Sequence, residues 1–545
     1  MVSISKNSFL FIALFFFSGL LSAQNKKYVV YFTDKNNTPY TISDPTTYLS
    51  SKAISRRQKQ NITIAANDLP VTPAYIDSLA LHGAQVYYSL KWMNAAVVLA
   101  DSAQMVSINA LPFVKKFYTL ARKMTSKSHC QNNEVSQTKN NQASISYGNS
   151  YNQVHMLEVD EMHNDGFHGE GMLIALLDAG FDNANGVGYL NQLFTDNRVL
   201  ATYDFVNKQV NVYNSSDTHG LEVLSTLAAY QPGQLVGTAY NASFVLLHTE
   251  DVSSETEIEE ANWAKAAEYA DSIGVDIISS SLGYTKFDSS TEHTHQEMNG
   301  HTTIAARAAN SAASKGILVL CSAGNEGNSS WHTISTPADG DSVLAIGAVD
   351  VDGNYAYFSS VGPSADGRVK PDLAAMGENV TLGTTSGGFS INSGTSFSCP
   401  LTAGLAAGLW QVFPSLTNMQ IADALRKSAS QYLHPDIYLG YGIPSYIKAK
   451  EYINAIYFNM DVGISIFPNP IKEGNISFIS DGKYFNQSVT VKMYDVTGRQ
   501  VAEDNVIVSN ENNETNINAA VFPEGMYILR FYFSDKILQK KMVKY

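Results

Sequence analysis

Cysteine is almost missing. Cys130, Cys321 and Cys399 are the only three in 545 residues, so no disulfide framework can hold the chain together. Stability has to come from core burial, with bound ions as the remaining support. Beyond the first two dozen residues there is no apolar run long enough to span a bilayer as a helix, which argues against a transmembrane anchor. Positive charge is outnumbered. The 36 Lys and Arg against 50 Asp and Glu leave a net charge of −14, which argues against nucleic acid as a partner. Internal repeats are absent as well, and the length exceeds what one compact core accommodates, so several domains are expected.

What is present starts with MVSISKNSFLFIALFFFSGLLSAQ. Lys6 supplies a basic start, Phe9–Phe17 with Leu20 and Leu21 a short apolar core, and Ser22-Ala23 a small-residue cleavage site. Residues 1–23 therefore read as a secretory signal, and the protein as secreted or held at the cell surface. Residues 24–145 alternate strand-like segments (KKYVVYF, GAQVYYSL, AAVVLA, VKKFYTLA) with helix-like ones (Lys52–Gln60, Pro73–His82, Ser102–Leu111). That pattern predicts a small α+β unit. It ends in a Ser-, Asn-, Gln- and Lys-rich linker with little to bury. Against the acidic whole, this block carries 14 Lys and Arg and 6 Asp and Glu, which reads either as salt-sensitive electrostatic docking on the remainder or as two unrelated solvated surfaces.

From 146 to 455 the pattern changes. Apolar runs (MLIALLD, SFVLLH, VDIISSSLG, GILVLCSAGN, SVLAIGAV) alternate with helical stretches such as Glu257–Ser272 and Ile304–Ser314. Continuous apolar strands between helices predict a mostly parallel sheet covered on both faces, an α/β domain. Residues 456–545 have no clear helix and several short alternating strands, which predicts a small β-sandwich.

In such a sheet, functional groups gather where strands end. MLIALLD ends at Asp178, GILVLCSAGN at Asn325, His219-Gly220 precedes a helix, and Ser396 stands at the mouth of a helix made almost wholly of Ala, Gly and Leu. Each has an ordinary reading: Asp178 as a loop cap, His219 as one of 12 histidines, Asn325 as a turn residue, Ser396 as an N-cap. Taken together, the order Asp, His, Asn, Ser with glycines beside three of them argues against coincidence.

These motifs resemble the subtilisin-like serine peptidases. Asp178-Ala179-Gly180 and His219-Gly220-Leu221 are similar to the family's Asp and His motifs. Ala323-Gly324-Asn325 and Gly394-Thr395-Ser396-Phe397-Ser398-Cys399-Pro400 match its oxyanion and serine motifs in full. The chain order Asp–His–Ser is that family's too, and the Gly-x-Ser-x-Gly elbow of the α/β-hydrolases is not used. The departures are Ala179, Leu221, Leu224-Ser225 and Met376, none of them a reacting group. The resemblance implies a secreted endopeptidase with Asp178, His219 and Ser396 as triad and Asn325 as oxyanion donor. It also implies Ser281-Leu282-Gly283 and Gly324 as substrate-binding backbone. Pro400 is expected in the helix's first turn, where its missing N–H is harmless, and Cys399 reads as packing.

By the same resemblance, 24–145 is an inhibitory prosegment with its linker. The tail, through FPNP, YDVTGRQV and GMYILRF, resembles C-terminal sorting domains of type IX secretion. Expected partners are peptide or protein substrates, the chain's own prosegment and the secretion machinery. No cofactor is required; structural calcium is compatible, but the sequence locates no site for it. Glu292, His293, His295 and Glu297 lack a regular helical pair of ligands and read as a solvated loop rather than a metal site. The competing reading is a catalytically inactive, subtilase-like surface binding protein.

Overall fold

The computed structural model describes residues 25–120, 145–215, 217–288, 292–457, 464–480, 484–509, 513–534 and 537–545. The signal-peptide reading of 1–23 and most of the linker reading lie outside the described residues.

Seven strands form the central sheet. From edge to edge they are Leu373–Met376, Val343–Val349, Leu318–Ser322, Ile277–Ser280, Leu173–Asp178, Ser243–His248 and Val199–Asp204, and every neighbouring pair is parallel. The inner strands are mostly apolar because both faces are buried, with polar residues such as Asp178, His248, Ser280 and Ser322 at their C-terminal ends. Ile174 and Leu176 point to one side, onto helices His219–Ala228 and Thr395–Val412. Ala175 and Leu177 point to the other, onto helices Ile258–Ile273 and Ile304–Ser314. The last two helices match the predicted ones almost residue for residue. Two edge strands, Val199–Asp204 and Leu373–Met376, were not among the strands expected from apolar runs. Val199–Asp204 is partly solvated, with Leu200 exposed, so its sequence lacks a continuous apolar signal.

The N-terminal unit is a four-stranded antiparallel sheet in the order Gln85–Leu90, Ala95–Ala100, Lys26–Phe32, Val114–Leu120. Strand alternation splits it into two apolar faces. Tyr28, Val30, Phe32 and Val98 meet Leu79, Met105 and Ile108 of its own helices. Val29, Tyr31, Val97 and Leu120 share a core with helices Ile258–Ile273 and Ile304–Ser314 of the large domain.

The C-terminal unit stacks a three-stranded sheet (Ile464–Phe467, Asn475–Ser480, Asn513–Asn518) on a four-stranded one (Gln500–Ile507, Ser488–Asp495, Gly525–Tyr532, Ile537–Lys544). Phe478, Val489, Met493, Leu529 and Phe531 fill the space between them. Among the described residues no helix is long and apolar enough to cross a membrane.

Candidate active site

Asp178 is the last residue of the strand Leu173–Asp178 and is fully buried. Its Oδ1 accepts from the Ala179 N–H at 2.8 Å and lies 2.6 Å from His219 Nδ1. Two glycines permit this approach. A Cβ on Gly220 would fall 2.3 Å from the Gly180 carbonyl oxygen, and one on Gly180 would fall 2.0 Å from Ser215 Oγ. With no Cβ at either place, the Asp loop and the His helix can meet backbone to backbone.

His219 opens its helix, and its own N–H is held by Asp217 Oδ1 at 2.7 Å. Burial works against a charged imidazole. The Asp178 carboxylate and its hydrogen bond, then Asp217 and Glu222, outweigh that and raise His219 to about 9. Glu222, one turn on, is itself pushed up by burial. Neither Asp217 nor Glu222 was singled out from the sequence. Asp217, two residues before the histidine, was within reach of that reading; Glu222, three residues after it, looks like any acid in a first helical turn.

Ser396 is the second residue of the helix Thr395–Val412, whose residues from Thr395 to Trp410 are all buried. Its Oγ lies 3.4 Å from the Ser281 carbonyl and makes no described hydrogen bond to His219. The helix mouth sets positive potential at Ser396, with the Phe397 N–H held by the Gly394 carbonyl. Asn325 Oδ1 accepts from both the N–H and the hydroxyl of Thr395, each at 2.9 Å. That fixes the amide and leaves its Nδ2 as the donor face. Gly324 N–H reaches Thr395 Oγ1 at 3.2 Å.

Pro400 is not in the first turn as expected. It is the sixth helical residue, where its missing N–H would have bonded the Ser396 carbonyl. The Ser281 hydroxyl takes that place at 2.7 Å, so this proline ties the Ser281-Leu282-Gly283 segment to the serine. Cys399 is buried against Ser279 and Ser280, and burial pushes its thiol up to about 12, in line with packing.

His219, Ser396, Asn325, Gly324 and Ser281–Gly283 all line one cavity of about 310 Å³. The Glu292–Glu297 loop is largely exposed, as expected, with His293 and Glu297 half-buried. His293 is bound to Glu260 at 2.5 Å, and His295 faces the Trp331 carbonyl, so the two imidazoles do not converge on one point. Among the described residues one trio, His301, Asp341 and Asp366, brings ligand atoms within 4.8 Å of one another. Arg368 already pairs with both carboxylates, which with an imidazole in the set is a poor fit to calcium's demand for oxygen donors.

Comparison with known proteins divides the chain into three matched segments. The model described as the subtilase family matches residues 169–442. A peptidase S8 propeptide domain of Bacteroidota matches 27–140, and a secretion system C-terminal sorting domain matches 465–545. The chain is 28% identical over 370 residues to Subtilisin NAT of Bacillus subtilis subsp. natto, covering 67% of this chain and 83% of that protein. It is 29% identical over 302 residues to Subtilisin of Bacillus pumilus, covering 55% and 96%. Over 286 residues it is 29% identical to the Thermostable alkaline protease of Halalkalibacterium halodurans, covering 52% and 69%.

Proposed function

The chain belongs to the subtilase family, whose model spans half of it, and from that premise we propose a secreted serine endopeptidase made as a zymogen, with Asp178, His219 and Ser396 as its triad. The observation that supports this best is the 2.6 Å His219–Asp178 contact in the same cavity as Ser396 and Asn325.

The chemistry follows from the groups. A neutral hydroxyl attacks a carbonyl poorly, so Ser396 needs His219 Nε2 to accept its proton. Asp178 holds Nδ1–H, which fixes the tautomer and stabilises the imidazolium as it forms. The substrate carbonyl oxygen becomes an oxyanion between Asn325 Nδ2 and the Ser396 N–H. His219 then hands the proton to the leaving amine. Water, activated by the same imidazole, releases the acyl group from Ser396. The main chain of Ser281–Gly283, which lines the cavity, pairs with an extended peptide. The sorting domain directs the protein to secretion and cell-surface attachment. The prosegment inhibits until cut within about residues 125–150, a span set by the Ser/Asn/Gln-rich linker chemistry.

A fluorophosphonate probe tests the reading. The secreted protein should label on Ser396; a secreted, folded protein that never labels would favour the inactive binding protein instead.

Two further outcomes are expected. Asn325→Ala should lower kcat by about 10²–10³-fold, the magnitude known for the corresponding donor in a subtilisin, with KM little changed because the oxyanion exists only beyond the ground state. A change confined to KM would make Asn325 a binding residue. His219 works as a base only when neutral. Since its neighbours raise it to about 9, kcat/KM should climb with pH through the neutral range and level off only above about 9. Asp217→Asn removes a charge that favours imidazolium, so the limb should move to lower pH. An unmoved limb in the pH profile would remove Asp217 from this role.

A further inference from the structure

The cavity that holds Ser396 and Asn325 has an acidic wall. Glu250, Asp251, Glu255 and Glu259 line one side, Glu326 lies near Asn325, and no lysine or arginine is among the lining residues. The wall is the segment that leaves the strand Ser243–His248 and enters the helix Ile258–Ile273.

Its members differ in what they do. Glu259 is 1% exposed, and both of its oxygens accept backbone N–H groups, from Asp251 and Thr256, so it closes the start of the helix. Glu250 is different. It is 8% exposed, and its Oε1 accepts from Tyr284 Oη at 2.6 Å and Thr249 Oγ1 at 3.1 Å. Its Oε2 has no partner among the described residues. A rigidly held carboxylate thus keeps one oxygen for whatever enters the cavity. Burial and then the neighbouring Glu255 push the Glu250 carboxyl up, so its charge is poorly balanced without a cation beside it.

Two observations point to the kind of cation. The wall does not gather like a metal site. Among the described residues the only trio with ligand atoms within 4.8 Å is His301, Asp341 and Asp366, which does not line this cavity. A long cationic side chain needs no such convergence, and a guanidinium or ammonium is satisfied by one or two carboxylate oxygens at its end. Second, the stretch 121–144, which links the prosegment to the catalytic domain and has to be cut on maturation, carries Arg122, Lys123, Lys127 and Lys139 against Glu134 alone.

We propose that Glu250, with added negative charge from Glu255, forms a subsite of the substrate cleft for a lysine or arginine side chain of the peptide. The inference rests on the endopeptidase reading above and gives it a substrate class. The cationic head displaces water from Oε2, while its aliphatic stem lies along Leu282 and Val252, which line the same cavity.

Cleavage-site profiling of the secreted protein on a mixed peptide library tests this, with fluorophosphonate labelling run beside it. Lys and Arg should be enriched at one fixed position from the cut, by roughly 10- to 100-fold over neutral residues, the range of a charge-assisted hydrogen bond. In Glu250→Gln that enrichment should fall to within a few-fold of neutral residues. Glu255→Gln, further from the Tyr284 contact, should reduce it in part and keeps the test alive if the first variant does not fold. Labelled protein that cuts without basic enrichment at any position overturns this inference alone, as does enrichment that survives both substitutions. A calcium-dependent rise in Tm that Glu250→Gln abolishes, without basic enrichment, assigns the wall to a metal and overturns it too. Protein that neither labels nor cuts overturns the endopeptidase reading and this one with it.

Discussion

Ser396→Ala should lose peptide hydrolysis by about 10⁶-fold in kcat, the scale known for the equivalent loss in a subtilisin, and keep its fold. The substitution removes one oxygen whose described partner is the Ser281 carbonyl at 3.4 Å, too long to count for more than about 1 kcal/mol. Alanine suits a helix N-terminus less as a cap, but the cap position here is Gly394, so nothing of that kind is lost. The hydrogen bond that the Ser281 hydroxyl donates to the residue 396 carbonyl remains. The variant should therefore melt within a few degrees of wild type, fail to label, and, where maturation is autocatalytic, accumulate as uncut precursor. Hydrolysis near the wild-type rate in the purified variant would show that another group is the nucleophile.

The second large effect lies far from that chemistry. Asp271, in the last turn of the helix Ile258–Ile273, is fully buried and is reached by three cations, all from the N-terminal unit. Arg56 lies 2.6 Å away, Arg57 2.9 Å and Lys91 3.1 Å. Burial alone would raise this carboxyl; Lys91, Arg56 and Arg57 instead hold it well below its ordinary range. The same docking caps helix ends. Ser50 Oγ bonds the Ile273 carbonyl at 2.6 Å, Arg56 Nε that of Lys315 at 3.1 Å, and Gln60 Nε2 that of Gly316 at 2.8 Å. The basic last turn of the helix Ser51–Lys59 thus lies against the negative ends of two helices.

Asp271→Asn leaves Arg56 and Lys91 buried without their paired carboxylate, while Arg57 keeps Asp68, a loss of about 3–5 kcal/mol by comparison with broken buried pairs elsewhere. Inhibition of the mature enzyme by added 24–145 should weaken by roughly 10²- to 10³-fold. Any cost of folding the added segment is common to both enzymes and cancels in the ratio. An inhibition constant within a few-fold of wild type would show that apolar contact alone holds the segment. The net charges suggested salt-sensitive docking. Because the cluster is buried, salt should slow association more than it loosens the finished complex.

Much of this was legible beforehand, for reasons that differ by element. Helices Ile258–Ile273 and Ile304–Ser314 and the inner strands announce themselves because burial on both sides of a sheet requires unbroken apolar runs. Asp178, His219, Asn325 and Ser396, the groups proposed to react, could be picked out because each sits in a short local motif. Val199–Asp204 was hidden by its solvated edge, and Pro400 by the fact that a helix's starting residue depends on the turn before it. Glu250 and Asp271 were invisible for another reason. Their roles come from partners distant in the chain, Tyr284 for one and Arg56, Arg57 and Lys91 for the other. No local pattern encodes such pairings.

The N-terminal sheet described above has two apolar faces and only one set of helices of its own. Cutting the chain after it converts an internal packing surface into a debt to water. Val29, Tyr31, Val97 and Leu120 would face solvent in the free segment, at roughly 1.5–3 kcal/mol for each fully buried side chain so exposed. A unit of this size has little stability to spare. Once separated, it should spend much of its time open and within reach of the enzyme it had covered. Each digestion removes a molecule that could have rebound. Activation then runs in one direction, driven by the consumption of the released piece rather than by any change in the enzyme itself.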